Sequence, residues 1–188
     1  MKPQVFSQTD IEILGKKSLY QGFFALEQFT FKHKLFAGGW SQPVTREVFE
    51  RGHAVVVLPY DPKCDKVVLI EQVRFPALAT TKSPWLMELV AGMIAPDETP
   101  EDVAHRELLE ETGLTARHIH FVSSYLASPG GSTERFYFYW ADVDSSQAQG
   151  LHGLADEHED IRLHVVDREV AYHGVVNGEI DNASTVIG

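Results

Sequence analysis

The chain has one cysteine, Cys64, and no apolar run near the roughly 18 residues that a membrane-spanning helix requires. One thiol excludes an internal disulfide framework and suits a reducing, cytoplasmic setting. Cys64 lies in DPKCD, a turn composition, and is read as a turn residue rather than a nucleophile. MKPQVFSQTD contains no apolar core of a secretion signal, so none is expected. Positive charge is scarce: 16 Lys and Arg stand against 27 Asp and Glu, a formal net charge of −11. That balance denies the basic footprint that nucleic acid requires. It still allows an anionic small substrate, provided metal ions or a few placed arginines supply local positive charge. The 9 histidines form no HExxH pair and there is no second cysteine, so zinc ligation has no support. GxxxxGK[ST] and GxGxxG are both missing, which removes P-loop and dinucleotide-fold readings.

What is present suffices for one full domain, or one domain with a small appendage: 188 residues, 44% of them hydrophobic. Residues 11 to 33 alternate partly and are rich in aromatics, which predicts antiparallel strands. LFAGGWSQPV then connects out of that piece, and TREVFERG leads into the buried-strand run HAVVVLPYD. KVVLIEQVRF reads as the hairpin partner of that run across DPKCD. TKSPWLMELVAG is ambiguous, its end reading as a strand into Gly92. Two strands joined by SPGGST follow, then a long polar loop, QAQGLHGLADEHED, of the kind that often carries function. IRLHVVD is a predicted strand, REVAYHGVVNGEI a helix, and DNASTVIG the start of a last helix with Asp181 or Asn182 as its cap. Strands interleaved with two or three helices predict an α/β or α+β sandwich.

One segment carries chemistry. GMIAPDETPEDVAHRELLEETGL, residues 92 to 114, has seven carboxylates in twenty-three residues. Thr99 as N-cap, Pro100 at N1, Asp102 at N3 and Gly113 as the stop predict a helix over 100–112. At 100° per residue, Glu107 and Glu111 fall beside Val103, Ala104 and Leu108, on the inward-leaning stripe. Glu101, Asp102, His105, Arg106 and Thr112 spread over the other side. Asp102 and Arg106 have the spacing of an ordinary ion pair, whereas Glu107 and Glu111 are each other's i+4 neighbour with no basic partner at helical spacing. Like charges so placed destabilise an exposed helix by roughly 0.2–0.5 kcal/mol, and a divalent cation removes the conflict. Hard carboxylate oxygens, with other positions left to water and phosphate, suit Mg²⁺.

Gly92, Glu98 and Arg106-Glu107-Leu108-Leu109-Glu110-Glu111-Thr112-Gly113-Leu114 together resemble the complete box of the Nudix hydrolase family. GFFALEQFTFKH, REVFERGHAVVVLP, VVLIEQVR, LASPGGSTER and HGLADEHEDIRLHVV extend the likeness, over nearly the whole chain, to the ADP-ribose-hydrolysing branch of that family. The resemblance implies an α/β/α sandwich with a mixed sheet over 51–188, and a small antiparallel β domain over 1–50. It implies metal ligation by Glu107, Glu111, Glu159 and the Ala91 carbonyl, with two or three Mg²⁺ ions and Mn²⁺ as a substitute. Glu157 matches the catalytic base, and Arg106 and Glu110 match residues that orient the ligating carboxylates. Phe23, Phe24, Arg46, Glu47, Arg51, Arg74, Met93, Ser128, Pro129, Gly130 and Glu134 match substrate-binding positions. A homodimer with exchanged N-terminal strands is implied too. The expected reaction is hydrolysis of ADP-ribose to AMP and ribose 5-phosphate. Other nucleotide sugars or NADH are the alternative substrates, and a non-catalytic ADP-ribose sensor is the alternative of a different class.

Overall fold

A computed structural model describes residues 5–188. The chain forms two compact units, one made of the residues up to Gly52 with Leu126–Glu134, the other of His53–Tyr125 with Arg135–Gly188.

In the first unit, β1 (Ile11–Gln21), β2 (Ala25–His33) and β3 (Val44–Glu50) make an antiparallel sheet in that order. The strands expected over 11–33 are therefore present, and TREVFERG is a third strand of their sheet rather than a lead-in to the next. Glu12 faces Lys32 directly across the β1–β2 ladder and pairs with it at 2.9 Å, which helps fix the register. Register shifts interrupt β1 between Ile13 and Gly15 and between Ser18 and Tyr20. Every residue of β1 is exposed, Ile13 and Tyr20 among them.

The second unit is built on an eight-stranded mixed sheet. Its strands are β4 (Ala54–Asp61), β5 (Lys66–Val73), β6 (Trp85–Glu88), β7 (Val90–Met93), β8 (His118–Leu126), β9 (Arg135–Asp142), β10 (Leu151–His152) and β11 (Ile161–Asp167). The main path runs β10-β11-β5-β4-β9-β8, with β6 on β5 and β7 on β4. β4 and β9 are parallel, while β4 with β5 and β11 with β5 are antiparallel. Period-two alternation divides the core. Val55, Val57, Val68 and Ile70 pack with Val103, Ala104 and Leu108 of α1 (Pro100–Thr112). Val56, Val67 and Leu69 pack with Ile180 and with Ala171 and Val175 of α2 (Arg168–Val176). A short α3 (Ala183–Ile187) is capped by Asn182, whose side chain accepts the Thr185 N–H. The result is the expected α/β/α sandwich with a mixed sheet.

Two details differ from the sequence reading. Residues 85–93 form two short strands on different neighbours, parted at Leu89, whose N–H donates to Thr185 Oγ1 at 3.0 Å. The polar loop after β9 contains β10, which pairs with β11. Among the described residues no helix is long and apolar enough to cross a membrane.

Candidate active site

α1 begins and ends where its sequence says. Thr99 Oγ1 accepts the Asp102 N–H at 3.2 Å and donates to the Asp102 carboxylate at 2.7 Å. Gly113 closes the helix at φ 69°, a left-handed conformation that costs an L-residue side-chain strain. Burial of Val103, Ala104 and Leu108 against β4 and β5 then fixes the rotation of the helix about its axis. That rotation carries Glu111 under the surface, where only 2% of it is exposed. Its carboxylate accepts the Ala91 N–H of β7 at 3.0 Å. An extended residue turns its N–H and C=O to the same strand edge, so the Ala91 carbonyl faces the same side.

Glu107 lies one turn earlier, its carboxylate against Gly92, and a Cβ at position 92 would land on it. Glycine is needed there for close approach of side chain to strand, not for backbone freedom. Burial raises the proton affinity of both acids. Glu107 is pushed up to about 7, with the charges of Glu110 and Glu159 adding to burial against the opposing pull of Arg106. Glu111 is held well above the ordinary carboxylate range by burial, helped by Glu107 and Glu159 and opposed by the Ala91 hydrogen bond and Arg74.

Arg106 corrects two expectations. It does not pair with Asp102, which is taken by the Thr99 cap. Its Nε and Nη2 grip Glu98 at 2.9 and 3.2 Å, and its Nη1 reaches Glu107 at 2.8 Å and Glu110 at 3.0 Å. Glu107 thus has a basic neighbour after all, because a long guanidinium reaches an adjacent position that helical spacing does not bring face to face. The fork also pulls the Glu98 carboxyl below its ordinary value. Thr112 is a third correction: it is buried rather than solvent-facing, with its hydroxyl on the Leu108 carbonyl.

The polar loop returns at Gly153–Glu159. Gly153 sits at φ 98° against Glu159, whose carboxylate accepts the Leu154 N–H at 3.1 Å. Glu159 is close enough for its charge to act on both box glutamates. Glu157, two residues earlier, is exposed at the end of a single turn. Arg74 is near enough to act on the charge of Glu111, and Glu88 holds it through Nε at 2.9 Å. Met93 is exposed, and its carbonyl is 3.5 Å from Arg106 Nη2, at the limit of hydrogen bonding.

Glu88 is the residue that sequence reasoning missed. It is 8% exposed, it accepts from buried Gln72 at 3.4 Å, and burial raises its proton affinity against the pull of Arg74. The available signal was one acid inside the apolar run WLMELV.

The remaining predicted substrate positions belong to the first unit. Phe23 is 84% exposed at the β1–β2 turn and makes an edge contact with Phe24, which in turn meets Phe49. The Arg51 guanidinium lies 5.3 Å over the Phe24 ring, and its Nε is 3.2 Å from Glu134 without hydrogen-bond alignment. Ser128, Pro129 and Gly130 form a turn closed by the Gly131 and Ser132 N–H groups on the Ser128 carbonyl. Arg46 donates to the Thr45 carbonyl at 2.8 Å, and Glu47 is exposed on β3.

Among the described residues no three His, Cys, Asp or Glu side chains form a ready metal cage. Mg²⁺ is ordinarily held by one or two carboxylates with water and substrate phosphate completing the shell, so an all-carboxylate pair fits a hard divalent cation without such a cage. The high proton affinity of Glu107 and Glu111 points the same way, since two neighbouring acids, one half-buried and one buried, compete for protons without a cation.

The NUDIX domain model matches residues 50–180. An ADP-ribose pyrophosphatase of Escherichia coli (strain K12) is 54% identical over 185 residues, covering 98% of this chain and 88% of that protein. A GDP-mannose pyrophosphatase of Pectobacterium atrosepticum is 32% identical over 178 residues, covering 94% and 91%. The crystal structure of an ADP compounds hydrolase superposes with a TM-score of 0.72 at 20% identity, covering 97% and 91%, and shares the fold. A glycine strand, a capped helix with two sunken glutamates and an arginine fork among its acids meet here in one unit, and the chain belongs to the Nudix family.

Proposed function

We propose that the chain is an ADP-ribose pyrophosphatase, which hydrolyses ADP-ribose to AMP and ribose 5-phosphate with Mg²⁺ as cofactor. The chemistry rests on one observation above all: half-buried Glu107 and buried Glu111 lie one helical turn apart against Gly92 and Ala91 of β7. The choice of substrate rests on relatives: those 54% and 53% identical, from E. coli and Haemophilus influenzae, are ADP-ribose pyrophosphatases, while the GDP-mannose enzyme is 32% identical.

Glu107, Glu111, Glu159 and the Ala91 carbonyl would hold the cation in this reading, and the cation would there supply charge neutralisation for the pyrophosphate and a lowered pKa for the attacking water. Glu157 accepts the proton of that water as oxygen attacks phosphorus. The P–O bond to the other phosphate breaks, and its electron pair leaves as a phosphate oxyanion. Arg106 steadies Glu107 between Glu98 and Glu110, an orienting role one step removed from the cation. Arg74 takes a phosphate. Phe23 or Phe24 stacks on the adenine, and Arg46, Glu47, Arg51, Met93, Glu134 and the Ser128-Pro129-Gly130 turn are the other substrate-binding positions of this reading.

A homodimer is part of this reading. Support comes from β1, an exposed edge strand of eleven residues carrying Ile11, Ile13, Leu14, Leu19 and Tyr20. Such an edge is a template for strand pairing with a second copy. Exposed Cys64 as the sole thiol agrees with a cytoplasmic, reducing location.

The test is AMP release from ADP-ribose, GDP-mannose, other nucleotide sugars and NADH in Mg²⁺. ADP-ribose is expected to give the highest kcat/KM. Preference for GDP-mannose would overturn the substrate, and saturable ADP-ribose binding without turnover would make the protein a sensor.

A further inference from the structure

Glu88 is hard to explain as part of the fold. It is directly opposite Ile70 on the β5–β6 ladder, while Val68, Ile70 and Gln72 alternate onto the face that α1 covers. The carboxylate therefore lies on the same side of the sheet as Glu107 and Glu111. An apolar side chain would serve that core position better, because a buried charge loses its water. Its partner Arg74 is 44% exposed and needs no burial of its own. The contact is also one-sided. Arg74 uses only Nε on Glu88, and among the described residues neither Nη group donates a hydrogen bond to protein. Carboxylate and guanidinium frequently meet through two parallel N–H···O bonds, as Arg168 and Asp65 do in this chain. Here Gln72 Nε2 takes part of the capacity of the same Glu88 oxygen, at 3.4 Å. Arg74 is meanwhile near enough to Glu111 to act on its charge.

We propose that Glu88, backed by Gln72, is a positioning residue that grips Arg74 by Nε and so presents both Nη groups to a phosphate of the substrate beside the paired glutamates. This rests on the pyrophosphatase reading above. It separates two functions of one ion pair: Glu88 gives direction, and Arg74 gives charge. A lysine at position 74 would keep the charge and lose the direction, because an ammonium has no planar fork to be held by one edge.

Glu88→Gln and Glu88→Met, Arg74→Ala, and the double variant Glu88→Gln/Arg74→Ala test the proposal through Mg²⁺-dependent ADP-ribose hydrolysis and thermal unfolding. Both Glu88 variants remove a buried charge, so they are expected to unfold at the same temperature as the wild type or higher. They are expected to raise KM by about 10–100-fold, the scale of a misplaced binding group. Glu88→Gln is expected to add nothing to the loss caused by Arg74→Ala. A lower unfolding temperature with unchanged KM would make Glu88 a structural residue and overturn the proposal. Additive losses would overturn it as well. Should the wild type fail to hydrolyse ADP-ribose, the substrate reading falls, and calorimetric titration with inorganic pyrophosphate in Mg²⁺ decides on the clamp. Equal weakening by Glu88→Gln and Arg74→Ala supports it, and undiminished binding to Glu88→Gln overturns it.

Discussion

Glu107 and Glu111 set the pH behaviour of the metal-free protein. Glu107 titrates at about 7 in the fold against 4.5 ordinarily, and Glu111 and Glu88 are raised in the same direction. Between those values the folded state holds more protons than the unfolded chain, so stability falls as pH rises. Asp61, Asp65 and Glu98 are held low and have finished ionising below that window. Thermal unfolding in a chelator is expected at lower temperature at pH 8 than at pH 5, with Mg²⁺ restoring stability at pH 8. A midpoint that climbs from pH 5 to 8 in chelator contradicts the assignment. Gly92→Ala places a methyl on the Glu107 carboxylate, and an activity loss of about 100-fold with little change in unfolding temperature is expected in a kinetic assay. The glutamate pair was legible as like charges at i,i+4 beside apolar residues. The reach of Arg106 to Glu107 was not, because adjacent helix positions do not face each other and side-chain length decides such contacts. Glu88 was visible only as one acid inside an apolar run, because a lone acid in a strand carries no periodic signal.

At the scale of elements, α1 is the piece whose placement the site depends on, and its ends carry local stability. Thr99→Ala removes the cap and is expected to cost about 1 kcal/mol by denaturant unfolding. Gly113→Ala is expected to cost about 1–3 kcal/mol, since it strains a residue at φ 69° and brings a Cβ to 2.8 Å from His152. Equal stability of both variants with the wild type would show that the caps do not hold the helix. The same two caps make α1 readable in the sequence: Thr-Pro and Gly punctuate the chain at the points where backbone hydrogen bonds run out. β6 and β7 are less readable, because a four-residue strand offers two alternations at most, and the break at Leu89 is set by Thr185, 96 residues away. β10 is hidden likewise: Leu151–His152 is a strand only through its pairing with β11.

For the whole molecule, the net charge of −11 repels an anionic substrate unless local cations reverse the field. Bound Mg²⁺ and Arg74 are the reversal proposed here. The exposed β1 edge adds a prediction on assembly. Ile13→Glu puts a charge on that edge, and sedimentation is expected to show a dimer for the wild type and a monomer for the variant. A monomeric wild type with full turnover would remove the dimer from the account. In this reading half-buried Glu107 and buried Glu111 form the cation seat of an ADP-ribose pyrophosphatase. AMP release from ADP-ribose, measured with and without Mg²⁺ for the wild type and for Glu111→Gln, tests it most directly. The wild type should turn over only with the cation, and Glu111→Gln should lose about 10³-fold or more, on the scale of removing a principal catalytic group. Mg²⁺-dependent turnover that survives Glu111→Gln undiminished would contradict it.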